Sequence, residues 1–383
     1  MKQLIYADYN ATTPSPRGHE DQVFEILQAS FGSPSSIHHF GREAKRLMED
    51  ARENVAKLFG AERKSIVFTS GATESNNFCL KGVVFQHFKK GERPHIVITN
   101  SEHSSVHNVA KFLEGYGFCT VTYAPIHSKG FLEKDTLLSA INERTVLVAI
   151  IYVNNETGVV NPVEELARAA KGKKPNLHVH VDGVQALGKL DCTWIGRSVI
   201  DSVSVSAHKV GGLKGIGCLY KKPEVSLLPL LHGGGHERGW RSGTENMPGI
   251  VSFGLRAKAI LERKEPLNHL RTLWNHLVER MRVLPGLEIH GDLSRCLPTT
   301  LNFTIHGVAG EELMLRFENA GIAVSSGSAC LSGGSEPSRV LTAMGYSRDV
   351  AANSIRLSFG EGSRIEDAEA ILAVVRGFVQ KKG

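Results

Sequence analysis

The first 250 residues alternate between short apolar runs and amphipathic stretches. The runs typical of strands are SIVFTS (65–70), HIVIT (95–99), TVLVAIIYV (145–153), LHVHVD (177–182) and DSVSVS (201–206). Residues 42–59 instead repeat apolar side chains at helical spacing, and a proline followed by two acids predicts a further helix over residues 161–172. This alternation predicts an α/β fold with a mostly parallel, doubly wound sheet.

The pattern changes after residue 250, where polar helices across residues 254–284 precede short strands. These strands are LEIHG, TTLNFTI and IRLSF, which predict a smaller α+β domain with a mainly antiparallel sheet. We therefore expect a large domain over residues 16–250 and a small C-terminal domain over residues 251–383. Residues 1–15 are expected to form an N-terminal segment that packs with the small domain.

Composition and charge exclude several classes of protein. The chain has 383 residues, of which 41% are hydrophobic and 22% charged, as in ordinary globular proteins. Its net charge of +6 is spread along the chain without a basic tract, so no direct contact with nucleic acid is expected. The longest apolar run, residues 146–153, is too short to span a membrane, and no signal peptide is recognisable. Six cysteines without a CxxC pair predict a reduced, cytoplasmic protein with no resident metal.

Reactive side chains follow several of the predicted strands. The small residues of FTSGATESN (68–76), including Thr73, leave backbone N–H groups free to approach an anion, although a plain turn has the same composition. Asp182 could either cap a helix or pair with a protonated ring nitrogen, and His103 could be structural or catalytic. Lys209 alone would be read as a surface charge. Together these features fit pyridoxal phosphate, which requires a lysine Schiff base and a carboxylate partner.

The chain resembles the cysteine desulfurases of the NifS/IscS type, in motifs that occur in the family order. These motifs are YADYNATTP, FTSGATESN, VNNETGVV, VDGVQALGKL, SAHKVGGLKGIG, RSGTEN and SSGSACLSG followed by EPSRVLTAMG. The resemblance implies the class-V aminotransferase-like, fold-type I fold of pyridoxal-phosphate transferases, with a large mostly parallel sheet flanked by helices and a smaller α+β domain. Leu213 departs from the pattern, because many relatives have proline there.

The resemblance also implies roles for individual residues. Lys209 would form the Schiff base, Asp182 would pair with the pyridine nitrogen, and His103 would stack on the ring and assist proton transfer. The remaining cofactor-binding residues would be Gln185 at the phenolic oxygen, Asn155, and Ala72, Thr73, Ser206 and His208 at the phosphate. Asn155 and Arg356 would hold the substrate carboxylate. Thr244 would reach the phosphate of a neighbouring subunit, which implies a homodimer.

The resemblance singles out Cys330, within SSGSACLSGG, as the residue that attacks the substrate sulfur. L-cysteine would become L-alanine, and the persulfide on Cys330 would pass to an acceptor protein such as an iron–sulfur scaffold, for iron–sulfur cluster assembly or other thiolation. Cys330 would also be a possible transient iron–sulfur ligand. A selenocysteine lyase or an aminotransferase is the alternative, and a non-catalytic sulfur-delivery or binding subunit is disfavoured by the complete lysine, aspartate and histidine set.

Overall fold

The computed structural model describes residues 4–89, 91–263, 268–326 and 337–379. Its strands are β1 Ile5–Tyr6, β2 Ile66–Thr69, β3 His95–Thr99, β4 Thr120–Ala124, β5 Thr145–Ile151, β6 His178–Asp182, β7 Ser202–Ser206, β8 Gly217–Lys221, β9 Leu287–His290, β10 Thr300–Ile305, β11 Ile322–Ala323, β12 Ser325–Ser326 and β13 Ile355–Ser358. Its helices are α1 His19–Ala29, α2 His39–Lys57, α3 Ala72–His87, α4 Ser104–Gly115, α5 Lys134–Ala140, α6 Val163–Lys173, α7 Met247–Leu261, α8 Asn268–Met281, α9 Gly310–Asn319, α10 Arg339–Ala343, α11 Arg348–Ala352 and α12 Ile365–Val379. None of these described helices has the length and apolarity needed to cross a membrane.

The central sheet of the described chain has seven strands in the order β2-β8-β7-β6-β5-β3-β4. Strand β8 runs antiparallel to its neighbours β2 and β7, and the remaining pairs are parallel. The predicted strands correspond to β2, β3, β5, β6 and β7, whereas β4 and β8 were not predicted. Strand β4 is a half-buried edge strand without an apolar run, and β8 lies inside a glycine-rich stretch.

Strand β7 is buried on both faces, despite its alternating sequence. Val203 and Val205 join the apolar core, as their spacing predicts. The opposite face carries Ser202 and Ser204, which are also fully buried and contact other polar side chains. The serine face is therefore a polar interior layer.

Helices cover both faces of the central sheet. Helix α2 buries Ala44, Met48, Ala51 and Val55 on one face, as its spacing predicts. It packs closely on α7, since a Cβ at Gly254 would lie 2.4 Å from the Cβ of Ala51. Helix α7 crosses the predicted boundary at residue 250 without interruption, and its apolar side chains belong to the core beneath this sheet. The division into domains stays a prediction.

A second sheet has the order β12-β13-β10-β9 and is antiparallel throughout the described residues. Helices α8, α9 and α12 contribute Leu277, Phe317 and Leu372 to a separate core that also contains Phe303. Strand β1 pairs with β11, and Ala7 joins this second core. The N-terminal residues therefore run from the second core towards the central sheet.

Candidate active site

A cavity of about 270 Å³ lies where β3, β5, β6 and β7 end. The carboxyl ends of parallel strands meet at one edge, which is where α/β sheets bind ligands. The predicted residues that line it are Ala72, Thr73, His103, Asn155, Asp182, Gln185, Ser206, His208, Lys209 and Arg356. Thr244 lies elsewhere, in a separate depression with Ser70 and Arg241. Cys330 falls outside the described residues.

The turn between β2 and α3 forms an anion cradle at one end of the cavity. Gly71 has φ of 153°, a backbone conformation that favours glycine. The Ala72 N–H donates to the Ser206 hydroxyl at 2.8 Å, which joins this turn to the end of β7. A Cβ at Gly217 would lie 2.7 Å from the Gly71 Cα, so the close approach requires glycine there. Helix α3 begins here and directs its N-terminal N–H groups and dipole at the cradle, which favours a phosphate.

His208 borders this cradle and is largely neutral at physiological pH. Burial and the positive charges of Lys209 and Lys214 lower the pKa of His208 to about 4. Its Nδ1 lies 3.2 Å from the Thr12 hydroxyl, within hydrogen-bond distance. The neutral ring can therefore offer a hydrogen bond to an anion without adding a charge.

Asp182 ends β6, and both of its carboxylate oxygens accept hydrogen bonds. One carboxylate oxygen accepts a hydrogen bond from the Val184 N–H at 3.1 Å, which stabilises the turn after the strand. The other accepts from Asn76 Nδ2 at 3.0 Å. The side chain is 3% exposed and lines the cavity, so it can also face a protonated ring nitrogen.

His103 both caps helix α4 and lines the cavity. It is the N-cap of α4, where its Nδ1 accepts from the Ser105 backbone N–H at 3.2 Å. An N–H can only donate, so the proton of the neutral ring must be on Nε2. Burial lowers the pKa of His103, and the Asp182 carboxylate partly opposes this shift. The ring is therefore a neutral donor at the cavity.

Lys209 lies just after β7, in the short 3-10 helix Ala207–Val210. Its Nζ donates to the backbone carbonyls of Asn10 at 2.6 Å and Ala11 at 2.8 Å. Gln185 Nε2 donates to the same Asn10 carbonyl at 3.0 Å. Asn10 and Ala11 are site residues that the sequence reasoning missed, and their position in the YADYNATTP motif was the available signal.

Lys189 is a second missed residue beside the site. Its Nζ donates to Gln185 Oε1 at 2.7 Å and to Asn10 Oδ1 at 3.2 Å. Loss of hydration, together with the charges of Lys209 and Arg356, lowers the pKa of Lys189 to about 7. Lys189 thus orients two side chains that surround Lys209.

Arg356 brings a buried guanidinium to the cavity from β13. Its Nη2 donates to Asp8 Oδ1 at 2.7 Å and its Nη1 donates to the Asn155 carbonyl at 3.1 Å. Its Nε is buried without a hydrogen-bond partner among the described residues. A guanidinium that lines a cavity suits a carboxylate ligand.

Leu213, the position expected to differ from the family pattern, makes a backbone hydrogen bond that a proline could not make. Its backbone N–H donates to the Ser252 hydroxyl at 2.9 Å, and a proline has no N–H for this bond. Ser252 Oγ also lies 2.7 Å from His19 Nε2. The leucine therefore adds a hydrogen bond that ties the turn after Lys209 to α7.

The residues present fit pyridoxal phosphate. An anion cradle, a buried carboxylate and a lysine amine line one cavity, as this cofactor requires. The fold and this site define a pyridoxal-phosphate-dependent enzyme of fold type I. More particularly, the chain belongs to the class-V aminotransferase family. The model of this family, described as Aminotransferase class-V, matches residues 5–371.

Several proteins similar to this chain are named cysteine desulfurases. The chain is 38% identical over 383 residues to cysteine desulfurase IscS of Dictyoglomus turgidum, covering 100% of this chain and 96% of that protein. A solved NifS-like protein matches with a TM-score of 0.91 and 35% identity, covering 99% of this chain and 100% of the other. The structure described as SspA in complex with cysteine matches with a TM-score of 0.82 and 33% identity, over 93% and 98% of the two chains.

These findings confirm the predicted family, fold class, enzyme class and cofactor. The chain is a pyridoxal-phosphate-dependent enzyme that belongs with the cysteine desulfurases. The roles of its individual site residues stay predictions.

Proposed function

We propose that this enzyme takes sulfur from L-cysteine, releasing L-alanine and leaving a persulfide on Cys330. The observation that carries the proposal is the meeting of Lys209, Asp182 and the phosphate cradle in one cavity of a chain from this family. The relative solved with cysteine supports the choice of substrate. A selenocysteine lyase or aminotransferase would use the same cavity, so Cys330 is the feature that favours desulfuration.

Some cavity residues would bind the cofactor, and others would transfer protons. Ala72, Thr73, Ser206 and His208 would hold the phosphate, Asp182 the ring nitrogen and Gln185 the phenolic oxygen. Bound pyridoxal phosphate supplies an electron sink that weakens bonds around the substrate Cα. Lys209 would hold the cofactor covalently and then carry the Cα proton. His103, with its proton on Nε2, would stack on the ring and donate to groups above it.

Arg356 and Asn155 would orient the substrate through its carboxylate. The Arg356 guanidinium, which lines the cavity, would pair with this anion. This anchor would leave the thiol end of L-cysteine free to react with Cys330. The Cys330 thiolate forms the new S–S bond as the substrate C–S bond breaks, and protonation of the carbon chain gives L-alanine.

Sulfur delivery and assembly complete the proposal. The persulfide would pass to an acceptor protein such as an iron–sulfur scaffold, for iron–sulfur cluster assembly or other thiolation. A homodimer is supported by the position of Thr244, which lies outside the cavity of its own chain and can serve a neighbour. We place the enzyme in the cytoplasm, because Cys79, Cys119, Cys192, Cys218 and Cys296 are free thiols.

The decisive experiment separates cofactor attachment from sulfur transfer. Borohydride reduction followed by peptide mass spectrometry should trap the cofactor on Lys209, and Lys209→Ala should abolish this adduct. Cys330→Ser should keep the adduct but lower sulfide release from L-cysteine at least about 100-fold. Cys296→Ser is the matched control, because it removes a thiol that does not line the cavity, and it should keep both the adduct and sulfide release. Full sulfide release by Cys330→Ser would refute the proposed function.

A further inference from the structure

A chain of hydrogen bonds leads from Asp182 into the polar interior layer of the central sheet. Asn76 Nδ2 donates to Asp182, and Asn76 Oδ1 lies 2.8 Å from His180 Nε2. His180 Nδ1 lies 2.8 Å from the Ser202 hydroxyl, which lies 2.8 Å from His178 Nε2. We call these five residues the Asp182 network. Each of its side chains is buried, so its hydrogen bonds are shielded from water.

The donor and the acceptor of every hydrogen bond in the Asp182 network can be assigned by starting from the Asp182 carboxylate. A carboxylate only accepts, so Asn76 must present its N–H₂ group to Asp182 and its carbonyl to His180. The amide carbonyl only accepts, so His180 carries its proton on Nε2 and accepts at Nδ1. The Ser202 hydroxyl therefore donates to His180 Nδ1, and His178 Nε2–H donates to Ser202. All the donors point towards Asp182.

His178 and His180 are both neutral, as this assignment of donors and acceptors requires. Burial lowers the pKa of His178 and of His180 to about 3, so both rings are neutral at physiological pH. Cys79 Sγ lies 3.2 Å from Ser202 Oγ, and Cys79, His178 and His180 have ligand atoms within 4.8 Å of one another. The Ser202 hydroxyl lies within hydrogen-bond distance of all three, so this cluster is better explained by hydrogen bonds than by a metal.

The Asp182 network also reaches His103 through a branch at Asn76. Asn76 Nδ2 donates to the Ser105 hydroxyl at 2.8 Å as well as to Asp182. The Ser105 hydroxyl then has its own proton free for His103 Nδ1, which lies 2.8 Å away. One buried amide thus bonds the Asp182 carboxylate and, through the Ser105 hydroxyl, supports the His103 tautomer that the Ser105 backbone N–H sets.

We propose that Asn76 and His180 are positioning residues that hold the Asp182 carboxylate for the cofactor ring and support the hydrogen bonds of His103. This inference rests on the proposed roles of Asp182 and His103. The Asp182 network replaces mobile water by fixed dipoles whose orientation favours negative charge at Asp182. A fixed carboxylate keeps the ring nitrogen protonated. The positive charge on the ring would in turn lower the pKa of the nitrogen that joins Lys209 to the cofactor.

The test is a pH titration of the visible absorbance of the cofactor-loaded enzyme, without substrate. His180→Leu leaves the Asn76 carbonyl unpartnered and should raise the midpoint of this titration by about one pH unit, the size of one lost hydrogen bond between neutral groups. His180→Gln places an amide donor near the same position and should return the midpoint most of the way to the wild-type value.

His95→Leu provides the matched control. His95 is also buried in the central sheet, with both ring nitrogens 2.8 Å from threonine hydroxyls, Thr145 and Thr122. It has no contact with the Asp182 network, so its variant should titrate like the wild type. Equal shifts in His95→Leu and His180→Leu would mean a general effect of sheet damage and would overturn the inference.

A second variant keeps the test decisive if His180→Leu does not fold. Ser202→Ala removes only a hydroxyl, frees His180 to change tautomer, and should shift the midpoint in the same direction. An unchanged midpoint in a folded Ser202→Ala or His180→Leu enzyme would refute the inference. Because no substrate is present, this outcome is independent of whether the enzyme acts on L-cysteine, so failure of the proposed function would be seen separately.

Discussion

Replacing Arg356 with lysine tests how the substrate carboxylate is held. The variant keeps the positive charge beside Asp8 but loses the planar fork and the buried Nε donor. Each charge-assisted hydrogen bond lost contributes about 1.5–3 kcal/mol, which corresponds to a rise in KM of roughly 10- to 150-fold. The affinity for pyridoxal phosphate should stay unchanged, because Arg356 lies outside the phosphate cradle.

L-cysteine methyl ester makes the assay specific for the carboxylate. The neutral ester cannot pair with a guanidinium, so the wild-type enzyme should strongly prefer L-cysteine over the ester, and Arg356→Lys should lose most of this preference. Sulfide release measures KM for both compounds, because the ester would give L-alanine methyl ester and not L-alanine. Arg52→Lys is the control, because Arg52 is equally buried and pairs with Glu237 away from the cavity. An unchanged preference in Arg356→Lys would refute the proposed carboxylate contact.

Two further predictions concern acid stability and assembly. The unfolded chain protonates His178 near its ordinary pKa of 6.5, whereas burial holds the folded pKa at about 3, so stability is lost as the pH falls through this window. Urea unfolding between pH 7 and pH 4 should therefore show a shallower loss in His178→Gln, by at most about 1.4 kcal/mol per pH unit, and an unchanged slope would contradict the assigned charge state. For assembly, a mixture of Lys209→Ala and Thr244→Ala chains, refolded together, should recover activity that neither has alone, because one site of each mixed dimer would be complete; no recovery would exclude a shared site.

Local sequence patterns determined much of this protein. The strand periodicity of residues 201–206 and the polar residues after each strand placed Asp182, His103 and Lys209 at one edge of a parallel sheet. These predictions succeed because side-chain alternation and strand ends are properties of a few consecutive residues. The position of Thr244 relative to the cavity could not be inferred in this way.

The tertiary structure decided the contacts between residues far apart in the chain. Asn10 meets Lys209 across 199 residues, and Asn76 meets Asp182 across 106 residues. Alternation in β7 predicts two faces but cannot say that the face with Ser202 is buried, because that depends on α3 packing over it. Burial then sets the charge of His180, since removing water disfavours the protonated ring. The sequence alone thus determines which groups are available, and the packing of distant segments determines their charge and orientation.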